Sequence, residues 1–281
     1  MTILISRFLF GRLRDLVFRL KLRVGFFRFK NVGECPLCGG AKFRPVSSFT
    51  QKFAVIHIEQ CVGCELILQN PRLDDQSLLR FYRSIYRRTH LGLKSNTDKT
   101  FRSRNFEREV RRGSYIYEYV TKSGFKSGGN MVAEIGCGSG GILTHFQAME
   151  DTVIGCDLDP NTIAYGIEKN LPLEVGSIET LLPYVGSIDL VILSHTLEHV
   201  PNVRSFLQDI KTLIAPGGMI YIEVPGVNNP RFTMLRNAQL GHLMYFNLKS
   251  LKRLLKTCGF KNLDGNEVVQ AIFRVDSIQD V

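Results

Sequence analysis

The sequence predicts an α/β protein built on a doubly wound, mostly parallel sheet, with a small cysteine-bearing module ahead of it. From Met131 onward the apolar runs MVAEIG, VIGCDLD, DLVILSH and GMIYIEV alternate with helical patterns near 141–149, 160–169, 202–214 and 248–258. Strands covered on both faces by crossover helices read this way. A glycine-rich stretch, Gly136-Cys137-Gly138-Ser139-Gly140-Gly141, follows the first run, and two C-x-x-C pairs stand 22 residues apart in the front part of the chain. At 281 residues, 44% hydrophobic and 22% charged, the chain has the length for a large core plus a smaller module, and its composition excludes a disordered, collagen-like or coiled-coil protein.

Residues 1–30 carry a net charge of +7, with Arg or Lys recurring among Phe, Leu, Val and Ile at three- and four-residue spacings. The pattern predicts a basic amphipathic helix, suited to peripheral contact with an anionic membrane surface or to packing on the protein's own body. Export signals need an apolar run of about 7 or more residues, and this segment has none. Seven cysteines are too sparse for a disulfide scaffold. The expected location is therefore cytoplasmic, with peripheral contact on the inner membrane surface through residues 1–30.

Residues 31–75 form the next unit. Cys35 and Cys38 precede an alternating stretch around Ala54–Ile58, and Cys61 and Cys64 follow it. Two such pairs flanking a hairpin fit one tetrahedral four-thiolate zinc site, which leaves no open coordination position and so is structural. Residues 76–126 read as a helical connector; within it, 77–112 carry +8, with Tyr82, Tyr86 and Phe101 among the arginines. Basic residues interleaved with aromatics fit single-stranded RNA as well as a solvated helix. Residues 127–281 hold the sheet.

The glycine loop also satisfies G-x-G-x-x-G, a dinucleotide fingerprint. Glu134, two residues before the loop, argues against a pyrophosphate there and suits a ligand bearing an ammonium group. Asp157, 21 residues after Gly136 at the end of the second strand, is placed to accept hydrogen bonds from both hydroxyls of a ribose. Together the loop and its two acids fit S-adenosylmethionine better than NAD. His195, Glu198 and His199 follow the third strand, where a doubly wound sheet opens on its ligand crevice.

VAEIGCGSGGIL, GCDLDP, DLVILSHTLEHV and PGGMIYIEVP together closely resemble the class I S-adenosylmethionine-dependent methyltransferases. CPLCGG, CVGCELILQNPR and LLRFYRSIY resemble the zinc-ribbon lead-in of a subgroup found among polysaccharide and sugar-modification genes, and GHLMYFNLKSLKRLLKTCGF resembles its substrate-side loop. The resemblance implies a seven-stranded Rossmann-like sheet. It also implies cofactor contacts from Glu134, Gly136, Cys137, Gly138 and Gly140 on the methionine side. Asp157 and Leu158 would meet ribose and adenine, Ser177 and Ile178 the adenine edge, and Ser194 the end of the third strand. Ser177 departs from the family, whose acid often meets the adenine amine there.

Methyl transfer requires an aligned acceptor and, for a hydroxyl, removal of its proton. His199 is the first candidate base and His242, in the substrate-side loop, the second, with His195 and Glu198 beside them. Relatives that bind a divalent cation through two glutamates have one where His195 stands, so metal dependence is not expected. Gln239 and Gly241 replace the Tyr and Glu that precede the equivalent of His242 in sugar C-methyltransferases, and the motifs of base-amine and pyrimidine-carbon methylation are missing. The expected reaction is O-methylation of a saccharide, cell-surface or lipid-linked, or of another small hydroxyl compound. Methylation of RNA by the basic front, and a catalytically inactive zinc-ribbon scaffold, are the alternatives.

Overall fold

The computed structural model describes residues 26–51, 54–86, 99–231, 233–234 and 238–276. The amphipathic helix expected at the N-terminus lies, up to residue 25, outside the described residues, as do Arg87 and Arg88 of the basic run. No helix among the described residues is long and apolar enough to cross a membrane.

The front unit pairs β1 (Phe29–Lys30) with β5 (Arg72–Leu73), β2 (Phe43–Gln51) with β3 (Ala54–Cys61), and β3 with β4 (Ile67–Gln69), all antiparallel. β3 alternates buried Ala54, Ile56 and Ile58 with exposed Val55 and His57, the period of a half-buried strand. His57 is therefore exposed and is not part of the cysteine group. Helix α1 (Asp75–Phe81) starts at Asp74, whose side chain accepts from the Ser77 N–H, and runs into a π-helical turn over Tyr82–Tyr86. Helix α2 (Lys99–Lys122) then leads into the main sheet.

That sheet has seven strands in the order β12-β13-β10-β9-β6-β7-β8. β6 (Met131–Ile135), β7 (Thr152–Asp157), β8 (Leu173–Val175), β9 (Ile188–Ser194) and β10 (Ile214–Glu223) are parallel; β12 (Phe260–Gly265) and β13 (Gln270–Val275) add an antiparallel edge. Central β9 reads Ile-Asp-Leu-Val-Ile-Leu-Ser with only Asp189 less than fully buried, because helices cover both faces. Helices α3 (Leu143–Ala148), α4 (Pro160–Ile167), α5 (Val203–Leu213) and α6 (Leu248–Thr257) supply the cover. The four apolar runs and four helices of the sequence reading are in place. Its periodicity missed β8, with three residues, and the antiparallel edge pair β12 and β13, the first of which shows no clean alternation.

One strand joins the two units. β11 (Met244–Tyr245), from the segment beyond β10, pairs with β4 and becomes an edge of the front sheet, ordered β11-β4-β3-β2. The Gln69 N–H donates to the Leu243 carbonyl at 3.0 Å, and the Leu243 N–H donates to the Glu198 carbonyl at 2.8 Å. A continuous backbone path thus runs from the cysteine module to the end of β9.

Candidate active site

The carboxyl ends of β6, β7, β8 and β9 open on a cleft of about 630 Å³. Between β6 and α3 the chain turns sharply: Gly136, Gly138 and Gly140 all have positive φ. Gly136 is fixed by more than its dihedral, since a Cβ there would meet Thr196 Oγ1 at 2.5 Å. Thr196 in turn donates to the Ile135 carbonyl at 2.9 Å, clamping the end of β6 to the turn after β9.

Asp157 ends β7 under this loop. One carboxylate oxygen accepts from the Gly138 N–H at 2.9 Å and the other from the Asp159 N–H at 2.8 Å. These bonds fix the carboxylate in the cleft wall. Glu134 is 2% exposed; burial, and then Glu109, push its carboxyl well above the usual range against the pull of Arg112. Its Oε2 is buried without a hydrogen-bond partner. A buried acceptor of this kind, set among acids, calls for a cationic donor from the ligand.

Arg112 of α2 crosses the strand ends, donating to Ser194 Oγ at 2.6 Å and Glu223 Oε2 at 2.7 Å. Asn105, Arg108 and Glu109 of the same helix line the cleft beside it. The arginine run that suggested RNA thus turns part of one face into the site, and Tyr82, read as a base-stacking candidate, is committed to His199.

Beyond β9 the three histidines separate by environment. His195 has φ 55, a left-handed conformation rare for a side-chain-bearing residue. It is 43% exposed in the cleft, with Nδ1 3.5 Å from Glu198 Oε1 and Nε2 3.8 Å from Glu223 Oε1. Glu198 lies beneath, its side chain 2% exposed. Burial alone would raise its carboxyl, but His199, His195 and His242 together hold it down at about 2. His199 is pinned: Nδ1 lies 2.8 Å from the Gly241 carbonyl and 2.6 Å from the Tyr82 hydroxyl, which itself donates to Gly241 at 3.1 Å. A carbonyl so close requires a proton on Nδ1, leaving Nε2 facing Glu198 at 3.8 Å.

Several expected site residues stand elsewhere. His242 is 6% exposed, edge-on to His199 with ring centroids 4.7 Å apart, and is not in the cleft wall. Gly140 packs on Leu171 and Leu173, and Ile178 packs into the core, because the chain turns both away from the opening. Gly136, Cys137, Gly138, Leu158, Ser177 and Ser194 do line it. Glu198, His199 and His242 bring one ligand atom each within 4.8 Å of one another, as a metal site would. Sequence reasoning missed Arg112, Glu223 and the role of Tyr82. Glu223 had a readable signal, an acid closing an apolar strand in register with Ser194 of β9.

In the front unit the four expected cysteines converge. Sγ atoms of Cys35 and Cys64 are 3.4 Å apart and those of Cys38 and Cys61 3.5 Å, and all four lie within 4.8 Å of one another. These separations are too long for disulfides and suit ligands around one ion. Although burial opposes it, the Cys64 and Gly63 N–H groups pull the Cys61 thiol down to about 7.

Comparison with known proteins agrees with this geometry. A family model described as a methyltransferase domain matches residues 103–264. The ubiquinone biosynthesis O-methyltransferase of Cupriavidus pinatubonensis is 32% identical over 115 residues, covering 38% of this chain and 45% of that protein. The C-methyltransferase NovU of Streptomyces niveus is 27% identical over 148 residues, 48% of this chain and 34% of that protein. The chain thus spans less than half the length of either. The Burkholderia thailandensis 1,6-didemethyltoxoflavin-N1-methyltransferase, solved with its substrate and S-adenosylhomocysteine, shares the fold with a TM-score of 0.52 at 16% identity, covering 77% of this chain and 98% of that one. The chain belongs to the methyltransferase domain family.

Proposed function

We propose that the protein methylates a hydroxyl oxygen of a saccharide, cell-surface or lipid-linked, with His195 receiving the hydroxyl proton. Bound S-adenosylmethionine supplies an electrophilic methyl group on its sulfonium. Glu134 Oε2, buried and unpartnered, takes the amino group of the methionine end, Arg112 lies beside it for the carboxylate, and Asp157 takes the ribose hydroxyls. The observation that carries the oxygen chemistry is His195, exposed in the cleft between Glu198 and Glu223. Glu198 holds the Nδ1 side, Nε2 accepts the proton, and the resulting imidazolium sits between two carboxylates. His199, already protonated on the nitrogen that faces Tyr82 and Gly241, serves to place Glu198.

The four cysteines fit a structural zinc ion that fixes the front hairpin, which through β4 and β11 supports one wall of the acceptor side. A second reading, a lipid-tailed phenolic ring, is favoured by the apolar wall of Leu78, Leu79 and Phe206 and by the ubiquinone O-methyltransferase relatives. Incubating the protein with methyl-labelled S-adenosylmethionine and native cell extract decides between them. Label in the saccharide or lipid-linked saccharide fraction is the expected result. Label in isoprenoid quinone material selects the second reading, and label in RNA overturns both.

A further inference from the structure

A second cavity, also of about 630 Å³, lies between the cysteine module and α5. It shares Pro201, Asn202 and Ser205 with the cofactor cleft, so the two cavities are neighbours. Its charged lining is Lys30, Arg72 and Arg204 against Glu34. Arg72 is 8% exposed, and its contacts to protein acceptors among the described residues are long: 3.4 Å to Asp75 Oδ1 and 3.5 Å to the Pro201 carbonyl. A guanidinium has five donors in a planar fork, so this buried charge has capacity left on the cavity side. Arg204 is different: it donates to the Pro36 carbonyl at 2.8 Å and the Leu37 carbonyl at 2.6 Å and contributes charge alone. Val203, Arg204 and Ser205, the first turn of α5, border the same space, and Asn202 provides that helix with no side-chain cap.

We propose that this cavity is a phosphoryl subsite for the acceptor, in which Arg72, assisted by Lys30, holds the phosphate or pyrophosphate of a glycosyl phosphate whose sugar lies in the cleft. A buried arginine pairs with phosphate oxygens through two parallel bonds, and Lys30, itself paired with Asp75 at 2.8 Å, adds a weaker, partly neutralised point charge. The proposal rests on the saccharide reading and narrows it from a neutral sugar to an activated, anionic one. Cys35 and Cys38 border the same cavity, so the competing role for its cations is to offset thiolate charge.

Titration of the full chain, saturated with S-adenosylhomocysteine, with inorganic pyrophosphate followed by calorimetry tests it. Wild-type binding is expected. It weakens about tenfold in Arg72→Met and less in Lys30→Ala, with bound zinc and S-adenosylhomocysteine affinity unchanged. Lys30 is 40% exposed, so its variant remains informative if Arg72→Met does not fold. Displacement of pyrophosphate by a nucleoside diphosphate sugar supports a soluble acceptor, and displacement by vesicles containing a polyprenyl phosphate supports a lipid-linked one; displacement by neither overturns the assignment. Absence of wild-type binding, unchanged binding in the variants, or losses that track zinc loss also overturn it. Pyrophosphate binding requires no turnover, so this subsite and the methylation reading fail in different experiments.

Discussion

In the cofactor half of the cleft the glycine loop and its acid are close in sequence, and in the acceptor half the paired groups are far apart. Gly138 and Asp157 bond across 19 positions, whereas the Tyr82 hydroxyl and the Gly241 carbonyl, which together pin His199, are 159 positions apart. One loop between two adjacent parallel strands builds most of the first site. The second exists only because the front sheet takes β11 as its edge strand and brings α1 against the end of β9. The cofactor half should therefore tolerate damage to the front unit, and the acceptor half should not.

Breaking the zinc module is the most severe test of that contrast. Cys61→Ser is expected to lose the metal and to reduce methyl transfer by roughly three orders of magnitude, since structural zinc contributes directly to folding. S-adenosylhomocysteine affinity, by calorimetry, should stay within about threefold of wild type, well inside tenfold, which is 1.4 kcal/mol. If transfer and metal loss separate, the acceptor wall does not depend on the ribbon. His195→Ala comes next, with transfer falling ~10²–10³-fold as expected for loss of a general base. Cofactor binding should be unchanged.

Glu134→Gln inverts the pattern by weakening S-adenosylhomocysteine ~10–100-fold, the usual effect of losing a buried charge-assisted bond. The same carboxyl predicts a proton signature. Its folded value is raised above the unfolded one, so its contribution to apo stability is complete below ~4.3 and is lost as pH rises through the folded value. A cationic ligand ionises it, so cofactor binding should release protons. Calorimetry in buffers of different ionisation enthalpy would show this release in wild type and none in Glu134→Gln. The smallest expected effect is that of Tyr82→Phe, about three- to tenfold on transfer, with the pH profile shifted and cofactor affinity unchanged, because one of the contacts at His199 Nδ1 remains. An unshifted profile would make Tyr82 a packing residue only.

Glu198 marks how far a single sequence can be read. The string His195-x-x-Glu198-His199 identified the region, but nothing in it separates an exposed histidine from a pinned one. That separation comes from a positive φ at His195 and from the Gly241 carbonyl against His199. The resemblance of its segment to the family's substrate-side loop makes His242 a candidate base. Pairing of the adjacent Met244–Tyr245 with β4 instead leaves it behind His199. Arg112 was visible only as one arginine among many, since a helix's charged residues do not reveal which face meets a distant strand end.

The sequence by itself determined the four central parallel strands, the glycine turn with its two acids, and the four cysteines. Each depends on short-range order: apolar period, backbone freedom at glycine, and ligand spacing within a hairpin. The tertiary structure alone decided which histidine faces the acceptor, which arginine enters the cleft, and that the cysteine module and the main sheet share a strand. Those outcomes depend on how two separately patterned surfaces dock, and the docking buries Glu198 beneath three histidines at a point no local pattern marks.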